Sequence, residues 1–251
     1  IKIYIEKEAA ASMDRIDYQA TYEKMRQEVD MVILFGGDGT FLYTSHHFIG
    51  TGIPILGINL GKLGFLTEIE TEELNKTLEG IYKGEYTIEE RMMLNARVKR
   101  NNKIIYKSFA LNDVVVNRGG NAKMIKIKLY INDEFVNSYR ADGLIMATPT
   151  GSTAYNLSAG GPIVNPQIKA IMITPICPHT LYVRPMVISK NEKIKIVISG
   201  DNNGMKITAD GRDVDTLRDN DEILLKASQN SISMVKFSDK TFYTVLHEKM
   251  R

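Results

Sequence analysis

The chain changes its hydrophobic period once, near residue 90, and that change limits what it can fold into. Before it, apolar runs alternate with helical stretches. IKIYI at 1–5 reads as a strand and Met13 to Glu28 as a polar helical stretch. MVILF at 31–35 reads as a buried parallel strand, Thr40 to Phe48 as a helix and IPILGIN at 53–59 as another strand. Thr71 to Lys83 places Leu74, Leu78, Ile81 and Tyr82 on one helical face, with Thr71 as N-cap. Such alternation predicts Rossmann-like α/β layering. After residue 92, LNARVKR, KIIYKSFA, MIKIKLYIN, KIKIVIS, MKITAD, DEILLKA and SISMVKF alternate in period two. Turn signals at Asn101-Asn102, Gly119-Gly120, Asn132-Asp133 and Asn202-Asn203-Gly204 separate them. The fold class expected is therefore α+β in two domains: a Rossmann-like α/β domain over 1–87 and a mostly antiparallel, β-sandwich-like domain over 88–233. No Pro- or Ser-rich linker marks the junction, so close packing of the two is expected.

Charge and cysteine content exclude several classes. Over 251 residues, 32 Lys and Arg nearly cancel 30 Asp and Glu, which gives no footprint for nucleic acid or an acidic membrane. Cys177 is the single cysteine, and it forms no ligand pattern with the four histidines. No apolar run approaches the roughly 20 residues that span a bilayer. The opening IKIYIEKE lacks a signal peptide's apolar block, and it starts on Ile1 rather than a methionine, consistent with residues trimmed ahead of it. A globular protein of cytoplasmic type is the expectation.

The chemistry concentrates first in MVILFGGDGTFLYT, at 31–44. A strand ends, the chain turns through glycines, and a helix begins. Glycines allow a ligand close to the backbone amides, and amides at a helix N-terminus favour phosphate. Asp38 sits inside that anion cradle, where its charge is repulsive unless something offsets it. A magnesium ion on the phosphates would do so. Alternatively, the carboxylate accepts the proton of a hydroxyl that attacks a γ-phosphate. The structural alternative is an acid that caps the following helix, with glycines that serve only the turn. Two apparent nucleotide motifs fail: GINLGKL at 57–63 has the wrong glycine spacing and Leu63 where a Walker loop needs Ser or Thr, and no G-x-G-x-x-G occurs.

A second constellation runs from Tyr139 to Pro162, YRADGLIMATPTGSTAYNLSAGGP. GLIMATPT reads as a strand, and Gly151 opens a short helix that Ser152 or Thr153 caps and Gly160-Gly161-Pro162 closes. Thr153, Tyr155 and Ser158 carry hydroxyls suited to phosphate or ribose. Asp142, Asn112 and Asp113 add groups suited to ribose hydroxyls and base edges. The tripeptide ADG recurs at 209–211, where it reads as a hairpin turn.

GGDGT at 36–40, GKLGFLT at 61–67, LND at 111–113, ADG at 141–143 and TPTGSTAYNLSAGGP at 148–162 together resemble the NAD kinase family, in its order and spacing. The resemblance implies transfer of a phosphoryl group from ATP, with a divalent metal such as Mg, to the 2′-hydroxyl of the adenosine ribose of NAD. It implies Asp38 as the catalytic acid near that hydroxyl, and Gly36, Gly37, Gly39 and Thr40 at the donor phosphates. Phe65 is implied near the adenine, Asn112 and Asp113 at ribose hydroxyls, and Asp142 at the nicotinamide end. Thr153, Ala154, Tyr155, Asn156, Leu157 and Ser158 are implied along the dinucleotide groove, with Arg140 and Lys123 as outer contacts. Asp113 stands where relatives more often have Glu, and Asn156 where many have Ser. The family pattern also implies a site between two domains, residues 234–251 returning to the first domain, and a homodimer or homotetramer with neighbouring subunits sharing substrate. GGDGT alone is shared with lipid kinases, but no apolar groove or amphipathic surface is evident and TPTGSTAYNLS favours a polar substrate. A non-catalytic NAD sensor would leave Asp38 without a task.

Overall fold

The computed structural model describes residues 1–120, 123–180, 182–200, 204–237 and 241–250, and only the backbone of Asp213 and Val214. The chain divides into two compact units, residues 1–90 with 232–251, and residues 91–231. The Asn202-Asn203 turn, and residues 238–240 and 251 of the final segment, lie outside the described residues.

In the first unit, β1 (Ile5–Glu6) is far shorter than IKIYI suggests, because Glu6 turns to cap α1 (Lys7–Ser12), its carboxylate accepting the Glu8 and Ala9 amides. The helix expected over 13–28 is also broken. Asp14 takes a left-handed conformation, a 3₁₀ turn follows at Ile16–Tyr18, and β2 (Gln19–Ala20) pairs in parallel with β1. Only α2 (Tyr22–Glu28) remains helical there, started by the Thr21 hydroxyl accepting the Lys24 amide. Next come β3 (Val32–Phe35), α3 (Asp38–His47), β4 (Ile55–Asn59), β5 (Ile69–Glu70) and α4 (Leu74–Lys83). Strands β3, β4 and β5 pair in parallel, the layering expected. β4 is buried throughout, but β3 is the end strand of its sheet and leaves Ile33 and Phe35 exposed, so it is not the buried strand its apolar run predicts. Helix α4 is preceded by a 3₁₀ turn held by a Glu70–Glu73 capping box rather than by Thr71. Its buried face carries Leu74 and Ile81, which pack on Leu56, Ile58 and Ile69, while Leu78 and Tyr82 face solvent.

The second unit is almost wholly β. It contains β6 (Thr87–Arg100, begun in the first unit), β7 (Lys103–Ala110), β8 (Asp113–Asn117), β9 (Ile125–Ile131), β10 (Glu134–Ala141) and β11 (Gly143–Ala147). A 3₁₀ turn at Thr150–Thr153 leads to α5 (Tyr155–Ser158). The strand ends at Ala147, short of GLIMATPT, and no side chain caps either short helix, so the Ser152 or Thr153 cap does not form. Then follow β12 (Ala170–Ile176), β13 (Met186–Ser189), β14 (Ile194–Ser199), β15 (Met205–Ala209), β16 (Arg212–Leu217) and β17 (Glu222–Lys236). DEILLKA and SISMVKF, which read as two strands, are this one β17. Its end returns to the first unit, where Met234 pairs in parallel with Ile55 and α6 (Phe242–Lys249) follows.

One sheet of the second unit runs β13-β12-β11-β8-β15-β16, antiparallel throughout. Its inner face (Val114, Val116, Leu144, Met146, Ile171, Ile207) packs on Ile127, Leu129, Ile196 and Ile223 from β9, β14 and β17, which makes a sandwich. Its outer face, with Val115, Ile145, Ala147 and Met172, is covered by Val164. Burial on both faces explains why GLIMA does not alternate. Hairpins close through left-handed pairs at Asn101-Asn102, Asn132-Asp133 and Asp210-Gly211, residue types that tolerate positive φ.

Asp221 is 1 % exposed and grips Arg100 through two bonds of 2.9 and 2.7 Å, which also raises the Arg100 pKa. Arg100→Met strands that buried carboxylate. Urea unfolding is expected to show a loss of about 3 kcal/mol.

Candidate active site

Strand β3 reaches the site at Gly36, whose φ of +156° and closeness to Thr40 exclude a side chain: a Cβ there would lie 2.4 Å from the Thr40 Oγ1. Gly37 occupies the N-cap of α3 and Asp38 is the first helical residue. The Asp38 carboxylate does not cap its own helix. It turns to the loop at 64–67, where Oδ2 accepts the Phe65 N–H (3.0 Å) and Oδ1 accepts the N–H groups of Leu66 (3.0 Å) and Thr67 (3.2 Å) and the Thr67 hydroxyl (3.3 Å). The helix-cap alternative is thereby removed. The loop bends tightly, with the Gly64 N–H donating to the Thr67 carbonyl (3.1 Å), and a Cβ on Gly64 would lie 2.0 Å from the Asp38 Oδ1.

This arrangement resolves how a carboxylate coexists with an anion cradle. Its charge faces a separate set of three backbone amides, which leaves the first amides of α3 unused by any side-chain cap. Gly37, Gly39 and Thr40 are exposed at that helix end, where amides and helix dipole favour an anion. Oδ1 takes three of the four donors, so Oδ2 keeps a lone-pair direction open. Phe65 packs near Phe242 of α6, with ring centroids 6.4 Å apart, and the Lys249 ammonium lies 5.2 Å from its ring. Downstream, Glu68 and Lys236 form a buried ion pair that anchors the loop.

In the second unit a different acid repeats the pattern. Asp210, at the tip of the β15–β16 hairpin, accepts the amides of Leu111 (2.8 Å), Asn112 (2.7 Å) and Asp113 (3.2 Å). The second ADG, read from sequence as a turn alone, is a turn and a clamp. Asn112 is half-buried, and its carbonyl accepts the Thr148 N–H (2.8 Å), tying the TPTGST turn to the same place. Asp113 is buried, and desolvation, with repulsion from Asp210, pushes its carboxyl from 3.8 up to about 7. Along 153–158, Tyr155 and Ser158 are exposed and Thr153, Ala154 and Leu157 half-buried. Asn156 is the exception: its amide donates to the Ser152 (3.3 Å) and Pro162 (3.1 Å) carbonyls and accepts the Thr174 hydroxyl (2.6 Å), with no exposure. Its side chain holds the turn together.

Asp142 is not beside this cluster. Ala147 of β11 pairs with Asp113 while Gly143 pairs with Asn117, so Asp142 lies beyond the other end of the strand, about 16 Å away by strand rise. There it forms a 2.8 Å ion pair with Arg118, a residue the sequence reading passed over. Arg140 and Lys123 are exposed. Among the described residues no three His, Cys, Asp or Glu side chains gather into a cation site.

Two family models match: the ATP-NAD kinase N-terminal domain over residues 3–86 and the ATP-NAD kinase C-terminal domain over residues 111–237. An NAD kinase of Caldanaerobacter subterraneus is 46 % identical over 239 residues, 94 % of this chain and 84 % of that protein. The chain belongs to the NAD kinase family. A Desulforamulus reducens NAD kinase is 39 % identical across 100 % of this chain and 87 % of its own length. Among solved structures, yeast NADH kinase complexed with NADH superposes with a TM-score of 0.86 at 32 % identity, covering 93 % of this chain and 69 % of the yeast chain. An Archaeoglobus fulgidus NAD kinase in complex with ATP gives 0.75 at 26 % identity, covering 96 % and 92 %. The family expectation drawn from GGDGT and TPTGSTAY therefore holds, and the lipid-kinase alternative falls away.

Asp113 ties stability to pH. Its folded pKa is raised, so the stability held by the neutral form is full below about 4 and is lost as pH rises through about 7. Asp113→Asn is expected to flatten that fall in thermal melts between pH 5 and 8. Gly64→Ala forces its new Cβ against Asp38 and is expected to lower the melting temperature by several degrees in the same assay.

Proposed function

We propose that this chain transfers the γ-phosphoryl group of ATP to the 2′-hydroxyl of the adenosine ribose of NAD, forming NADP and ADP. The observation that carries the residue assignment is the Asp38 carboxylate, held by loop amides beside an uncapped helix N-terminus with an Oδ2 lone pair open. In this reading the ribose oxygen attacks the γ-phosphorus and the bond to the β–γ bridging oxygen breaks. Its electron pair leaves with ADP, and the hydroxyl proton passes to the Asp38 Oδ2.

The roles divide by unit. In the first, the amides around Gly36, Gly37, Gly39 and Thr40 receive the donor phosphates and Phe65 offers a ring for the adenine. In the second, Asn112 and Asp113 bind ribose hydroxyls, supported by the Asp210 clamp on their amides. Thr153, Ala154, Tyr155, Leu157 and Ser158 line the dinucleotide, and Asn156 serves through the backbone it fixes. A divalent ion carried on the ATP phosphates would offset their charge beside the amides of Gly37, Gly39 and Thr40. Asp142, with Arg118, Arg140 and Lys123 as outer contacts, acts on the nicotinamide end. The distance from Asp142 to Asn112 favours a homodimer or homotetramer in which that end belongs to a neighbouring copy's dinucleotide. A cytoplasmic location fits the absence of any described helix long and apolar enough to cross a membrane.

Asp38→Asn keeps the shape but cannot accept the proton. With magnesium, ATP and NAD, NADP formation is expected to fall by ~10²–10⁴-fold while calorimetry still detects NAD binding. Near-normal turnover would remove Asp38 from the chemistry.

A further inference from the structure

We infer that Asn59, a buried amide at the end of β4, is a positioning residue that aims the Asp38 carboxylate through the 61–67 loop. The inference rests on the proposed role of Asp38 as base.

Asn59 is 3 % exposed, and a buried amide is tolerated when its donors and acceptor are all used. Its Oδ1 accepts the Gly61 N–H at 2.6 Å, which fixes the start of the loop. Its Nδ2 donates to the Lys62 carbonyl at 2.8 Å, to the Thr67 hydroxyl at 2.9 Å and to the Thr67 carbonyl at 3.3 Å, which fixes the far end. One side chain thus closes the loop whose amides hold Asp38. The bond to the Thr67 hydroxyl also sets a direction. Because Thr67 accepts from Asn59, its single hydroxyl proton is directed onward to the Asp38 Oδ1, 3.3 Å away. Asn59, Thr67 and Asp38 form a relay of hydrogen bonds pointing at the carboxylate. The relay leaves Oδ2, with its single amide donor, as the oxygen that faces a reacting group.

Asn59→Ala removes the clamp without touching Asp38. A small misplacement of a reacting group costs up to about 10²-fold, so kcat is expected to fall by at least 10-fold and up to about that limit. KM for NAD and for ATP is expected to change by less than about twofold, because the anion cradle at α3 stays intact. Thr67→Val deletes only the relay hydroxyl and is expected to lower kcat with the same split. The deciding measurement is a double-mutant cycle with Asp38→Asn, read with radiolabelled ATP. In that background the additional Asn59→Ala change is expected to cost nothing further.

An equal fold-loss in both backgrounds, or a loss confined to KM, overturns the inference, as does unchanged kcat in folded Asn59→Ala protein. Should Asn59→Ala fail to fold, Thr67→Val carries the test, and unchanged kcat in that variant overturns it. If Asp38→Asn itself turns over normally, the base assignment fails and this inference falls with it. An inactive Asp38→Asn beside a fully active Asn59→Ala sinks only the role of Asn59.

Discussion

Three consecutive backbone amides, of Phe65, Leu66 and Thr67, converge on one carboxylate, and the first unit's functional surface is organised around that convergence. Without it, Asp38 would either cap α3 and consume the amides a phosphate needs, or repel the phosphate outright. With it, negative charge and anion cradle stand side by side. The loop can wrap the acid only because Gly64 leaves room and because β4, buried throughout, gives Asn59 a rigid base. Charge-assisted bonds to backbone amides are among the stronger ones available.

The second unit reaches the same solution with a different acid. Asp210 gathers the amides of Leu111, Asn112 and Asp113, and in doing so fixes the segment that precedes β8. Burial, with a lesser contribution from this second carboxylate close by, raises the pKa of Asp113. A protonated Asp113 donates a hydrogen bond as well as accepting one, which suits a hydroxyl-bearing partner.

Period and turn chemistry carried most of the fold. Alternation after residue 92 locates strands such as β9, β14 and β15, buried on one face, and Asn101-Asn102 and Asn132-Asp133 mark hairpins because few other residues accept left-handed backbone. Local pattern misleads where tertiary context outweighs it. Ile33 and Phe35 look buried but lie on a sheet's end strand, and Leu78 and Tyr82 face solvent although they share a stripe with the packed Leu74 and Ile81. The motif residues were legible one by one, but their couplings were not. Nothing local says that Asp38 faces residues 65–67, that the second ADG holds residues 111–113, or that Asn156 turns inward. Asn59 stood inside a stretch dismissed as a failed Walker loop, and its only signal was a polar residue ending an apolar strand. Arg118 follows a strand in VNRGG, where it reads as an ordinary turn residue.

The two carboxylate clamps differ in how far they reach along the chain. Asp38 binds amides 27 to 29 residues downstream, whereas Asp210 binds amides 97 to 99 residues upstream. As the polypeptide leaves the ribosome, the first clamp closes early, within one α/β segment. The second waits for the 205–217 hairpin, so residues 111–113 emerge long before the acid that orders them. Long-range closure of this kind is slow, so the ordering of residues 111–113 by Asp210 trails that of the loop around Asp38.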